Sequence, residues 1–123
     1  MIASAQTSNS KLAQINNKLT IQSQNFADDS YAIRSLDWDR SRFDIEFGLR
    51  NGTTYNSFII RGEKLAIIDT SHKKFKTLWF KELIKEVNPQ KIDYLITSHT
   101  EPDHSGLIGD LLELNKNITI VGS

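Results

Sequence analysis

The chain has no cysteine. That excludes disulfides, thiolate nucleophiles, and zinc or iron–sulfur centres held by sulfur. Any metal bound here must be held by nitrogen and oxygen donors. Neither sign of charge is in excess: fifteen Lys and Arg balance fifteen Asp and Glu, for a formal net charge of zero. General nucleic-acid binders and binders of anionic membranes need a basic excess, so neither class is expected. No apolar run approaches the roughly 20 residues of a membrane-spanning helix. The first residues lack the charged-then-apolar order of an export signal, and the expected location is the cytoplasm. With 123 residues the chain holds one domain at most. The remaining composition is that of an ordinary soluble protein.

What is present falls into two halves. Residues 1–18 are rich in Ser, Gln and Asn and read as a loose polar leader; a helix over 11–19 would have little apolar face. Residues 19–123 read as structured. Leu19 to Asn25 alternates apolar and polar, as does Tyr31 to Leu36, with a turn at Asp28-Asp29-Ser30 between them. Asp37 to Arg42 reads as a charged, solvated loop in which Trp38 is expected to cover the sheet, the alternative being that the stretch helps to line a site. Asn51-Gly52 is a strong hairpin signal, followed by a strand over 53–61. Gly62-Glu63-Lys64 turns the chain into a buried strand, Leu65 to Ile68. This half is a run of antiparallel strands and hairpins.

Then the period changes. From Lys73 to Val87, Phe75, Leu78, Trp79, Leu83, Ile84 and Val87 share the spacing of one helical face. Asn88-Pro89 stops that helix. A strand over 92–97, a helix over about 105–114 and a strand over 118–121 follow, so the second half reads β-α-β-α-β with parallel crossovers.

The stretch His99-Thr100-Glu101-Pro102-Asp103-His104 stands between the second strand and second helix of that half. It holds two of the three histidines and two carboxylates. Open α/β sheets place their sites at this position, outside the carboxyl ends of the strands. Pro102 disfavours the helical region for Glu101, so an extended backbone is expected up to Asp103, aiming His99, Glu101 and Asp103 the same way. Two close carboxylates repel unless a cation sits among them. Nitrogen and oxygen donors without sulfur suit iron, manganese or zinc. Each residue alone also fits a plain role: Asp103 or Ser105 as a helix cap, His99 as a hydrogen-bonded core histidine, Glu101 as a solvated charge. The third histidine, His72, reads as a loop or helix-start residue. Asp69 either orients the site or makes a turn.

The order His-x-Glu-x-Asp-His after a βαβ strand resembles the metallo-β-lactamase fold in its flavodiiron variant, in which Glu replaces the second histidine. The stretches Leu95–Gly106 (LITSHTEPDHSG), Asp37–Phe43 (DWDRSRF) and Asn51–Phe58 (NGTTYNSF) are similar to those of the diflavin flavoproteins of oxygenic phototrophs. The resemblance implies the first half of a metallo-β-lactamase-like αββα sandwich. It implies that His99 and Glu101 bind one iron and that Asp103 and His104 bind a second. It also implies a diiron/FMN oxygen reductase that passes electrons from NAD(P)H to O2, or to NO in some members.

The resemblance has gaps. The family's later histidine, bridging aspartate and final histidine have no counterpart here, and the flavodoxin and flavin reductase domains are absent, as is any Gly-rich phosphate loop. A truncated or fragmentary form, inactive alone, is therefore expected. Its inner sheet face, with Phe58, Ile60 and Leu65, would lack a partner layer, which predicts a homodimer or association with full-length relatives. The alternatives are a zinc hydrolase of the same fold, which Glu101 argues against, and a non-enzymatic remnant.

Overall fold

The computed structural model describes residues 18–43 and 47–122. The expected leader therefore lies outside the described residues except for Lys18, and Leu19 already opens a strand.

β1 (Leu19–Ala27) and β2 (Ser30–Asp37) form an antiparallel hairpin. β3 (Arg42–Phe43) and β4 (Phe47–Gly48) make a small separate ribbon. β5 (Thr53–Arg61) returns to pair antiparallel with β2, and β6 (Leu65–Ile68) pairs antiparallel with β5. The helix α1 (Lys76–Glu86) then carries the chain to β7 (Tyr94–Thr97), parallel to β6. Two short helices, α2 (Pro102–Ser105) and α3 (Ile108–Leu114), lead to β8 (Thr119–Gly122), parallel to β7. The sheet order is β1-β2-β5-β6-β7-β8. This is the expected mixed α/β architecture, antiparallel hairpins followed by β-α-β-α-β.

Alternation along each strand sorts the two faces. On one face Tyr31, Ile33, Ile59, Ile67 and Leu95 pack under Phe75, Trp79, Leu83, Leu107 and Leu111 in a single core. On the other, the register aligns Ala32, Phe58, Ile68, Ile96 and Val121 across five strands. That row is half-buried to exposed. Phe58 and Ile60 lie on this open face, as expected. Leu65 does not: its cross-strand partner is Arg61, two residues from Ile59, so it shares the parity of Ile67 and packs against the helix-side core.

Four further expectations need correction. Asn51-Gly52 does not join neighbouring strands. Gly52 has φ +74, and a Cβ there would meet the Asp37 carbonyl at 2.0 Å, so the pair is a tight turn delivering β5 to distant β2. Ile84 is 56% exposed, because five positions after Trp79 it has rotated off the buried stripe of Phe75, Trp79 and Leu83. Trp38 is 53% exposed rather than covering the sheet, and its indole N–H donates to Thr20 Oγ1 at 3.1 Å. The helix expected over 105–114 is two pieces, separated at Gly106 and Leu107.

Candidate metal centre

The motif leaves β7 at Thr97, whose hydroxyl donates to the His99 carbonyl at 2.8 Å. Glu101 is extended, with φ −69 and ψ 155, as its position before proline demands. The helical turn begins at Pro102, before the start expected at about 105, and proline suits the first helical position because its missing N–H has no partner to lose. Asp103 and His104 therefore project from α2 rather than from an extended strand. Ser105 Oγ locks the turn by donating to the Thr100 and Glu101 carbonyls.

Four donors result, standing as two pairs. His99 Nε2 lies 3.1 Å from Glu101 Oε1, and both side chains are about half exposed. His104 Nε2 lies 3.5 Å from Asp103 Oδ2. The two imidazole rings meet edge to face, centroids 5.5 Å apart. Among the described residues no three His, Asp or Glu side chains gather into a closed metal cage. The pair spacings nonetheless suit an ion. Two donors at roughly 2.0–2.2 Å from one metal sit about 3.0–3.5 Å apart at right-angle to tetrahedral geometry. Each pair offers one imidazole nitrogen and one carboxylate oxygen, the donor chemistry of a hard-to-borderline transition metal.

His104 is held from behind. Its Nδ1 lies 2.9 Å from Asp69 Oδ2. An ionised carboxylate only accepts, so the proton sits on Nδ1 and Nε2 presents its lone pair. Asp69 is 5% exposed and adopts φ +57, the left-handed region that Asp tolerates better than most residues. That backbone turn ends β6 and sends the carboxylate toward Ser98, whose backbone N–H donates to Oδ1 at 2.7 Å. Thr70 holds the same turn through its N–H and hydroxyl, 2.7 and 2.8 Å from the His104 carbonyl. Gly106 permits the closest approach, since a Cβ there would stand 2.7 Å from the Ser71 carbonyl oxygen and 3.0 Å from Lys73 N.

His72 caps the short 3-10 turn Lys73–Phe75, its Nδ1 accepting from the Lys74 N–H, as the helix-start reading expects. Burial, then the cations Lys74 and Arg40, lower its pKa. Sequence reasoning missed Ser98 and Thr70. It also missed Asp37, treated as part of a solvated loop although it is 1% exposed. The parity of β2 carried the signal, because Tyr31, Ile33, Ser35 and Asp37 fall on one face and all are buried.

A sheet with its two parallel crossovers on one face, and a His-x-Glu-x-Asp-His turn at the strand ends, defines a metallo-β-lactamase-like domain. Residues 53–123 match the model of the ODP family beta lactamase, and the chain belongs to that family. A protein provisionally named diflavin flavoprotein A 3, from Nostoc sp. (strain PCC 7120), is 64% identical over 106 residues, covering 86% of this chain and 18% of the relative. A flavodiiron core from Synechocystis sp. PCC6803 superposes with a TM-score of 0.75 at 33% identity, over 83% of this chain and 25% of that one. Rubredoxin oxygen:oxidoreductase from Desulfovibrio gigas superposes with a TM-score of 0.74 at 29% identity, over 80% and 25% of the two chains. The chain thus spans about a fifth of the length of the curated relatives it matches.

Proposed function

We propose that this chain carries half of the ligand set of a flavodiiron oxygen reductase. His99 and Glu101 would hold one iron, and Asp103 and His104 a second. The observation that carries this reading is the pairing itself: two imidazole–carboxylate pairs side by side, spaced at 3.1 and 3.5 Å, with Asp69 fixing the lone pair of His104. Bound iron would supply one-electron redox chemistry toward O2 or NO. The chain's own residues bind, orient and keep His104 in one tautomer. The similarity to diflavin and flavodiiron proteins supports electron supply from FMN and NAD(P)H in a full-length form, and a cytoplasmic location. No helix among the described residues is long and apolar enough to cross a membrane.

Each pair is two donors short of a four-coordinate ion, and His72 is the one histidine left. The chain alone is therefore expected to consume negligible O2. Its open face, with Phe58, Ile68 and Ile96, is expected to be covered by a second copy or a full-length relative. The test is metal analysis and O2 uptake in the full-length form. Iron at two per chain, with uptake lost in His99→Ala, supports the reading; zinc with hydrolase activity and no iron would overturn it. For the isolated chain, sedimentation as a monomer without binding of an apolar dye would count against the covered face.

A further inference from the structure

The core is apolar under α1 but polar beneath α2. Among the described residues seven polar ones are buried, and six of them, Ser35, Asp37, Ser57, Asp69, Thr70 and Ser71, lie on β2, on β5 and in the segment that follows β6. They form connected bonds: Ser57 Oγ donates to the Asp69 carbonyl at 2.7 Å, and Ser71 Oγ to Ser35 Oγ at 2.8 Å. At the far end, Tyr55 Oη donates to Asp37 Oδ2 at 2.7 Å, and the Lys74 ammonium pairs with the same carboxylate oxygen. Asp37 and Tyr55 come from two of the three stretches that carry the sequence resemblance, and neither is one of the proposed metal ligands. Lys74 closes the segment 69–74, whose other end holds His104 and α2.

We propose that the buried Asp37 carboxylate, paired with the exposed Lys74 ammonium and braced by Tyr55, is a positioning device for His104 and, resting on the reading above, for the metal its Nε2 would bind. The reasoning is mechanical. Residues 69–74 leave β6 with few regular hydrogen bonds of their own. They are pinned at Asp69 and Thr70 to His104, and at Lys74 to Asp37. Between the pins, Ser71 and Lys73 lie directly against Gly106, so a shift of this segment moves α2. His72 adds a stacked contact on Tyr55, centroids 6.0 Å apart. A side-chain carboxylate with no exposure could be satisfied far more simply by an apolar residue if only burial mattered. Its three donors, the third being Asp39 N–H, fix the orientation of the carboxylate.

The test uses the unsubstituted protein, Lys74→Met, and the double variant Asp37→Asn/Lys74→Met, which leaves no unpaired buried charge and so guards against simple unfolding. Two readouts are made. The first, without metal, is solvent exchange of the His104 Nδ1 proton by NMR, with cooperative melting as the check on folding. The second is Co(II) titration, followed by its visible absorption bands. The double variant is expected to melt cooperatively, to exchange that proton at least tenfold faster, and to bind Co(II) about tenfold more weakly with shifted bands, the range found for groups behind a metal ligand. Unchanged exchange in a folded double variant would overturn the positioning role. Unprotected exchange in the unsubstituted protein would overturn it as well. Failure of the unsubstituted protein to bind Co(II), with the exchange difference intact, would overturn the metal-positioning half of this proposal and leave the positioning of His104 standing, while the iron reading is decided separately by metal analysis of the full-length form.

Discussion

The two ends of the helix-covered layer are built from the same strands and could hardly differ more. Toward one end, the cross-strand row Tyr31–Ile59–Ile67–Leu95 is closed by Trp79 and Leu83. Four residues further along β2 and β5, the partners are Ser35 and Tyr55, and beyond them sits the Asp37–Lys74 pair. The apolar end holds the fold together through area removed from water, which is non-directional and tolerant. The polar end depends on direction, since each buried donor or acceptor costs free energy if it loses its partner. The division falls where the parallel strands end and α2 begins. Stability lives at one end and precision at the other.

The comparison breaks most visibly at Trp79. It is fully buried against Phe80 at 4.9 Å between ring centroids, and its indole nitrogen has no hydrogen-bond partner among the described residues. Trp79→Ala is expected to cost about 3–5 kcal/mol in urea unfolding; a loss under 1 kcal/mol would show that this end is not the stabilising one. Asp69→Asn keeps the size and the tolerance for a left-handed backbone but removes the charge that fixes the His104 tautomer. Metal affinity should fall about 10–100-fold, with a smaller change in melting than Trp79→Ala.

Acid should find the polar end first. Burial alone would raise the pKa of Asp37, but hydrogen bonds from Lys74 and Tyr55 outweigh it and hold the carboxyl below its ordinary value. A carboxyl with a lowered folded pKa contributes stability that is full above the unfolded value, about 3.9, and lost as pH falls through the folded one. The midpoint for unfolding should therefore drop below about pH 4, and Asp37→Asn should flatten that drop. An unchanged acid limb would place the sensitive carboxylate elsewhere. The smallest effect belongs to Ile84, at 56% exposure. Ile84→Ser should change stability by less than about 0.5 kcal/mol, whereas a cost near that of a core residue would mean that α1 is covered on its outer side as well.

Much of this was legible locally. The strand alternation in β2, the 3.6-residue period of α1 and the stop at Asn88-Pro89 all follow from side-chain spacing, and each held. The six-residue motif offered its four candidate donors from residue chemistry alone. What misled were features whose meaning depends on a distant partner. Asn51-Gly52 announces positive φ but not which strand follows it home. Ile84 counted as apolar within the helix window, though rotation carries it off the stripe. Leu65 changed faces once its register against Arg61 was set.

The sequence by itself determined the class of elements, their order and the donor atoms of the candidate centre, because period, turn chemistry and residue type are properties of neighbours along the chain. The tertiary structure decided how those donors are divided and held. Asp69 reaches His104 across 35 positions, and Tyr55 reaches Asp37 across 18. Such pairs exist only after β2, β5, β6 and β7 have set their register, and a single residue of slip would turn every one of them to the other face.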